Sequence, residues 1–538
     1  MPFFTNKYLV FRIIYMNKKY ISFLILPCLL SACSTGIKLK YVPYSSFVEA
    51  KELMRDEENE YFKSQKETTP VAYRSGTIDS LADMLADFKS GNKRESIPTK
   101  GDRKLLVVPI SFKDSDKTNQ DNKTIFLQNA FFGANDHTNY YSVAGYYNAS
   151  SYGQLKITGK VAPWYNLDMT SSELLSMSQS YMTKSSMVVA KAVDWLKTLN
   201  DFDVSQYDTD GDDCIDGVYA IYDHPYNDKN NKDHLFWAYT HYTFQGENSL
   251  NNEAPYLNGY SWTSINTVLQ KDNRSYTNYL IHETGHLLGL TDYYNTKYSE
   301  DGSDYHFQPT GCFDMMDYNI GDHSSFSKYL FKWTSPMVVK SNVSGTIKLK
   351  PFTTSGEYIL VPSEKYNNTP FSEYLLIEFF APTGINKFTG AYSYTDSHGN
   401  TGIYKYPQYY GLKIYHVNAT LGYYKRTLNS NLICTVDDPN AETKIGSDVV
   451  GLDFAYSNTI KDSDVGRVPA LVHLLESSGK NTFKDYIPAN NETLFRTGDD
   501  FGITKFTDFT FSDGSKPNFK LKVKSLSTKD ITLEISTK

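Results

Sequence analysis

Cysteine is scarce, with five in 538 residues, two of them within the first 33. Only Cys214, Cys312 and Cys434 fall in the rest of the chain, an odd number that excludes a disulfide scaffold while allowing one bridge that the sequence does not choose. Positive charge is not in excess. With 54 basic and 61 acidic side chains the formal charge is −7, which excludes a basic nucleic-acid binder. Long apolar runs are missing too, and a mean hydropathy of −0.47 excludes a polytopic membrane protein. Glycine (32) and proline (20) are too few for a collagen-like or low-complexity chain. What remains is a folding composition, 40% apolar and 21% charged, long enough for about three to four domains at roughly 150 residues each. Aromatics reach 15%, with 44 Tyr, which fits a β-rich secreted protein and a carbohydrate binder equally well.

The N-terminus reads as an address. Lys18 and Lys19 precede an apolar run from Tyr20 to Leu30, too short to span about 30 Å of hydrocarbon, and Leu30-Ser31-Ala32-Cys33 follows. These four residues resemble a bacterial lipobox. Residues 1–32 are then a lipoprotein signal peptide, with Met16 a natural start, and Cys33 becomes the lipidated first residue of the mature protein. An uncleaved anchor from about Tyr8 is the alternative, interrupted by Arg12, Lys18 and Lys19. Both readings export the chain, to the membrane or cell surface or beyond.

Residues 33–100 are polar, with a charge-dense stretch from Lys51 to Lys66 and one short helical segment at Ser80 to Lys89, and read as a tether or a pro-segment. Leu105 to Ile110 is a continuous apolar run suited to a buried strand. Val188, Ala192, Trp195, Leu196 and Leu199 form a helical stripe, Val218 to Tyr222 a second buried strand, and Tyr279 to Leu288 a helix. Alternating elements predict an α+β unit over 101–340. Beyond it the period becomes two, at Ile347/Leu349, Leu412/Ile414, Phe519/Leu521/Val523 and Ile531/Leu533/Ile535, which predicts antiparallel β-sandwich modules over 341–538.

His282-Glu283-Thr284-Gly285-His286 carries the chemistry. On a helix, positions 282 and 286 lie one turn apart on one face, so two imidazoles can converge on one Zn²⁺. Glu283 stands beside them, within reach of a water at the metal. Gly289 can end the helix in a left-handed conformation and turn the chain so that Asp292 returns as third ligand. Three protein ligands leave a fourth position open, as in catalytic zinc sites. Such a motif arises by chance in roughly one chain of this composition per hundred, and the added Gly and Asp make that far rarer. Zincins also use a distant Glu as third ligand, and Glu300 lies in the neighbourhood.

Downstream, Gly311 to Tyr318 holds Met316, which resembles the Met-turn beneath the metal of metzincins, and Tyr318, two residues on, is a candidate hydrogen-bond donor to the oxyanion. Asp208, Asp210, Asp212 and Asp216 occupy positions 1, 3, 5 and 9 of an acidic loop, with the Cys214 carbonyl at position 7, a spacing that can wrap Ca²⁺. The match to an EF-hand is incomplete, since Asp213 stands at the usual Gly and no Glu stands at position 12. His416 shares a strand face with Leu412 and Ile414 and reads as a satisfied core residue, and His323, after the Met-turn, as a surface helix start with substrate contact as the alternative.

With these motifs the chain resembles the immune inhibitor A family of bacterial metallopeptidases, in the metzincin clan. Ser142 to Tyr147 with Ser151-Tyr152-Gly153, Asp208 to Gly217, Ser327-Lys328-Tyr329 to Trp333, and Gly411 to Val417 add to the likeness, which spans about 100 to 420. Lys332 before Trp333 departs from the Gly expected there. The resemblance implies a zinc endopeptidase acting on extracellular proteins or peptides through Glu283, with Asp292 closing the metal set and calcium stabilising the fold; a monomeric chain is expected, and the lipobox pattern takes it to the membrane through the lipid on Cys33. A non-catalytic adhesin or carbohydrate-binding lipoprotein, and a zinc amidase acting on cell-wall conjugates, are the competing readings.

Overall fold

The computed structural model describes residues 54–55, 97–138, 140–225, 234–243, 250–269, 275–296, 307–317, 320–342, 344–389, 392–395, 401–404, 407, 409–425, 431–445, 449–485 and 487–537. The signal segment with Cys33, the helix expected at 80–89, Glu300 and Tyr318 lie outside these residues.

The first half is built on one sheet. Strand β1 (Gly101–Ser111) pairs in parallel with β2 (Leu155–Val161), and its far end pairs with β3 (Tyr165–Asn166). On its other side come β4 (Val218–Tyr222), β6 (Gly259–Ser264) and β5 (Tyr239–Tyr242), in the order β2-β1-β4-β6-β5. All pairings are parallel except the last, where edge strand β5 runs antiparallel to β6. The strand read from Leu105 to Ile110 is longer than the apolar run that revealed it.

Both faces of this sheet are covered, which is why its central strands are apolar without alternation. Leu106, Val108, Ile110, Val218, Ala220 and Tyr222 face one layer. That layer is formed by helix α4 (Tyr181–Lys197), which follows α1 (Gln120–Phe132), α2 (Val143–Ser150) and α3 (Ser171–Ser176) in the chain. The α4 helix starts where Ser180 accepts a hydrogen bond from the Thr183 amide, and it buries Val188, Ala192 and Leu196, with Trp195 packed partly. Leu105, Val107, Tyr219 and Ile221 face the opposite layer, where α1, α2 and α5 (Asn278–Leu287) lie.

The second half contains a sheet ordered Met54–Arg55, β7 (Met337–Val339), β9 (Tyr358–Pro362), β10 (Glu373–Phe380), β11 (Gly411–Asn418), β12 (Val472–Leu475). It is antiparallel except between β7 and β9. A second, four-stranded antiparallel sheet joins β8 (Ser344–Leu349) to Ile531–Ser536, Lys520–Leu526 and Asp500–Phe501. The period-two pattern explains how these sheets sit. Ile359, Val361, Leu375, Ile377, Leu412 and Ile414 face the four-stranded sheet and share a core with Ile347, Leu349, Leu521, Leu533 and Ile535. Tyr358, Leu360, Tyr374, Leu376, Tyr415 and Val417, on the other face, join the core that contains α5 and Met316. The β-rich half therefore packs directly against the layer that carries the H-E-x-x-H helix. Cys214, Cys312 and Cys434 are buried thiols, and no two of them are bridged.

Candidate metal centre

Helix α5 spans Asn278–Leu287 and presents His282 and His286 on one face, their rings 4.9 Å apart and nearly perpendicular. Its end is set by Gly289, at φ +102°, which no β-carbon-bearing residue adopts easily. The Gly289 amide donates to the His286 carbonyl at 2.8 Å and the Leu290 amide to the Gly285 carbonyl at 2.8 Å, the paired bonds of a Schellman end. The reversal brings Asp292 back over the helix. Its Oδ1 lies 3.2 Å from Nε2 of His282 and 3.2 Å from Nε2 of His286.

The other ring nitrogens fix the tautomers. His282 Nδ1 faces the Met315 carbonyl at 2.9 Å and His286 Nδ1 faces the Leu290 carbonyl at 2.8 Å, so both Nδ1 atoms must carry the proton. Both Nε2 atoms then converge on one carboxylate oxygen, a contact that a proton or a metal ion between them satisfies. Burial disfavours charge on His286, but Asp292 outweighs it and pushes its pKa up to about 9. Burial likewise opposes charge on Asp292, yet the two imidazoles hold its carboxyl well below the usual carboxylate range. The negative potential that would place a proton here also attracts a divalent ion, and the His₂Asp donor set fits zinc.

Glu283 is 4% exposed, and one of its carboxylate oxygens lies within 4.8 Å of a ring nitrogen of each His. It is thus near enough to be a fourth ligand by distance alone. Asp292 is in direct contact with both nitrogens, whereas Glu283 Oε2 is held to one side by the Thr240 hydroxyl at 2.8 Å. By contact, Asp292 is the nearer candidate for a third ligand, with Glu283 beside it.

Met316 is fully buried under the helix, and a β-carbon at Gly285 would come within 2.5 Å of its sulfur. The Met316 carbonyl accepts from the Tyr293 amide at 2.8 Å, tying the turn to the segment that carries Asp292. Asp314 Oδ1 accepts from the Met316 amide at 2.9 Å; burial pushes the Asp314 pKa up to about 6 against the pull of that amide and of Lys413. His323, expected at a surface helix start, is instead 1% exposed, with Nε2 3.3 Å from the Tyr147 hydroxyl, because the segment before α6 (Ser325–Leu330) is covered by α2. His416 pairs with Glu373 at 2.7 Å, a satisfied residue as the strand pattern indicates.

Sequence reading missed the hydroxyls that grip α5. Tyr147 donates to the Ile281 carbonyl at 2.7 Å, Tyr242 to the His286 carbonyl at 2.7 Å, and Tyr219 to the Leu280 carbonyl. Their only signal is the high Tyr content, which does not say where the hydroxyls point.

In the acidic loop the structure brings together Asp208, Asp210 and Asp216, whose oxygens lie within 4.8 Å of one another. Asp212 instead accepts from the Cys214 amide at 2.8 Å. Asp216 is 3% exposed and its pKa is pushed up to about 7 by burial, although Thr209 donates to it from both amide and hydroxyl.

A helix with paired imidazoles, a returning aspartate and an adjacent glutamate over a methionine floor is the arrangement expected of a metallopeptidase. Residues 101–317 match the immune inhibitor A peptidase M6 catalytic domain, a stretch that opens at the first residue of β1 and closes just past Met316. The chain thus carries a region similar to the catalytic domain of the immune inhibitor A peptidases, in keeping with its motifs. No curated protein matches the chain.

Proposed function

We propose that this peptidase is a zinc-dependent endopeptidase in which His282, His286 and Asp292 hold the metal and Glu283 is the general base. The observation that carries the reading is the meeting of both Nε2 atoms on Asp292 Oδ1 with the Glu283 carboxylate alongside. Zinc bound there would polarise the scissile carbonyl and acidify the attacking water. Glu283 takes one proton from that water as its oxygen joins the carbonyl carbon, and returns a proton to the amine nitrogen as the C–N bond breaks. The Met315 and Leu290 carbonyls accept the Nδ1 protons of His282 and His286, which leaves both Nε2 atoms to hold the metal. Tyr318 is assigned to the oxyanion. Assay of Glu283→Ala against casein tests the mechanism, and full turnover by a folded, zinc-loaded variant would refute it. Cleavage confined to peptidoglycan, with casein untouched, would favour the amidase reading.

The finer architecture belongs to the same proposal, a metzincin-like catalytic unit over 101–340 and β-sandwich packing beyond it. Asp208, Asp210 and Asp216 are assigned to Ca²⁺, which would relieve the burial of a charged Asp216. A calcium-dependent rise in melting temperature that survives Asp216→Asn would remove that assignment. Export and anchoring through Cys33 rest on the signal pattern, and palmitate labelling that persists in Cys33→Ser would remove them. The substrates are extracellular proteins or peptides, met by a monomeric chain.

A further inference from the structure

Strand β5 is the edge of the first sheet, and its side chains divide by parity. Tyr239 reaches the α4 layer, where its hydroxyl donates to Ser185 at 2.8 Å. Thr240 and Tyr242 point the other way, onto the metal helix. Tyr242 reaches the His286 carbonyl across Gly259, where a β-carbon would come within 2.8 Å of the Tyr242 ring. Two residues earlier, Thr240 Oγ1 lies 2.8 Å from Glu283 Oε2 and 3.3 Å from the Glu283 backbone carbonyl. A threonine hydroxyl has one proton, and the nearer, charged acceptor takes it. Strand register and helix periodicity thus coincide, with residues 240 and 242 of the strand meeting residues 283 and 286 of the helix.

From this coincidence we propose that Thr240 is a positioning residue for the base: its hydroxyl fixes the rotation of the Glu283 carboxylate so that one oxygen is held by the strand and the other is presented to the attacking water. The inference rests on Glu283 being the base. A carboxylate at the end of a side chain with three torsions is otherwise a mobile proton acceptor, and loss of orientation lowers the rate without removing the group. Because Thr240 touches neither a metal-ligating atom nor the His286 carbonyl that Tyr242 holds, removing its hydroxyl leaves metal retention intact.

The experiment compares Thr240→Val, Thr240→Ser and Glu283→Gln in the full zinc-loaded chain on one fluorogenic peptide. Val keeps the shape of Thr and removes only the hydroxyl. Expected for Thr240→Val is a fall in kcat of about tenfold or more with KM, zinc content and melting temperature unchanged, and recovery of most of that loss in Thr240→Ser. Wild-type kcat in Thr240→Val beside an inactive Glu283→Gln overturns the positioning role while sparing the base. A Val variant that loses zinc and melting temperature together with kcat makes the contact merely structural and also overturns it. Full turnover by Glu283→Gln overturns the base assignment itself, and the inference with it.

Discussion

Lys413 Nζ lies 3.6 Å from Glu378 Oε1, between two residues that face each other across β10 and β11, and 4.0 Å from the centroid of the Phe313 ring in the turn beneath the candidate metal centre. Both side chains are more than nine-tenths buried. Glu378 Oε2 also accepts from the Ser325 amide at 2.8 Å, at the start of α6. The β-rich half thus places a buried ion pair under the catalytic half, on the sheet face that shares its core.

Removing one member of such a pair strands the other charge away from water. Lys413→Met is expected to lower unfolding stability by about 3–5 kcal/mol, read from urea unfolding. Lys413→Met combined with Glu378→Gln is expected to recover part of that loss. An additive double variant would show that the two residues do not act as a pair.

Gly285 and Met316 make a second such contact, since a β-carbon on the helix would press on the methionine sulfur. Gly285→Ala is therefore expected to destabilise the protein by about 1–3 kcal/mol through overpacking, despite the better helix propensity of alanine. Adding Met316→Ala makes room for the new methyl group, so the double variant should lose less than the two single losses combined. Thermal unfolding of the four proteins measures the coupling.

The clustering of residues at the candidate metal centre was legible because its determinants are local. His282, Glu283 and His286 are related by helix periodicity, and Gly289 with Asp292 follows from a helix-end rule. The strands at Val218–Tyr222 and Ile531–Ser536 were legible from burial patterns of one or two faces. Thr240, Tyr242, Glu378 and Lys413 were not, since each meets the site across a sequence gap that only strand pairing closes. His323 was misplaced for the same reason, its cover coming from α2 far earlier in the chain. In the acidic loop the spacing selected four aspartates, of which the structure gathers Asp208, Asp210 and Asp216, while Asp212 accepts from the Cys214 amide.

Asp314 supplies a pH dependence of definite sign. Its folded pKa is raised to about 6 by burial, above its ordinary value of 3.8, so the folded state binds the proton more tightly than the unfolded state. Its contribution favours folding below pH 4 and is lost as pH rises towards 6. Asn at this position can still accept from the Met316 amide through Oδ1 and carries no charge. Asp314→Asn should thus gain on wild type between pH 4 and pH 7, by an order of about 3 kcal/mol. Parallel urea curves at the two pH values test this, and a difference that does not change with pH would count against it.

Metal removal should act through Asp292 more than through any neighbouring carboxylate. Loss of an outer-shell partner already weakens metal sites by about 10–100-fold, so loss of a direct ligand should exceed that. Asp292→Ala is expected to bind zinc at least about a hundredfold more weakly, measured by competition with a chromophoric chelator. Zinc at a thousand times its dissociation constant contributes about 4.1 kcal/mol to stability by mass action. Chelation should therefore lower the melting temperature of the wild-type chain, and added zinc should restore it, while Asp292→Ala shows little of either response. An equal chelator response in Asp292→Ala would mean that the stabilising ion sits elsewhere.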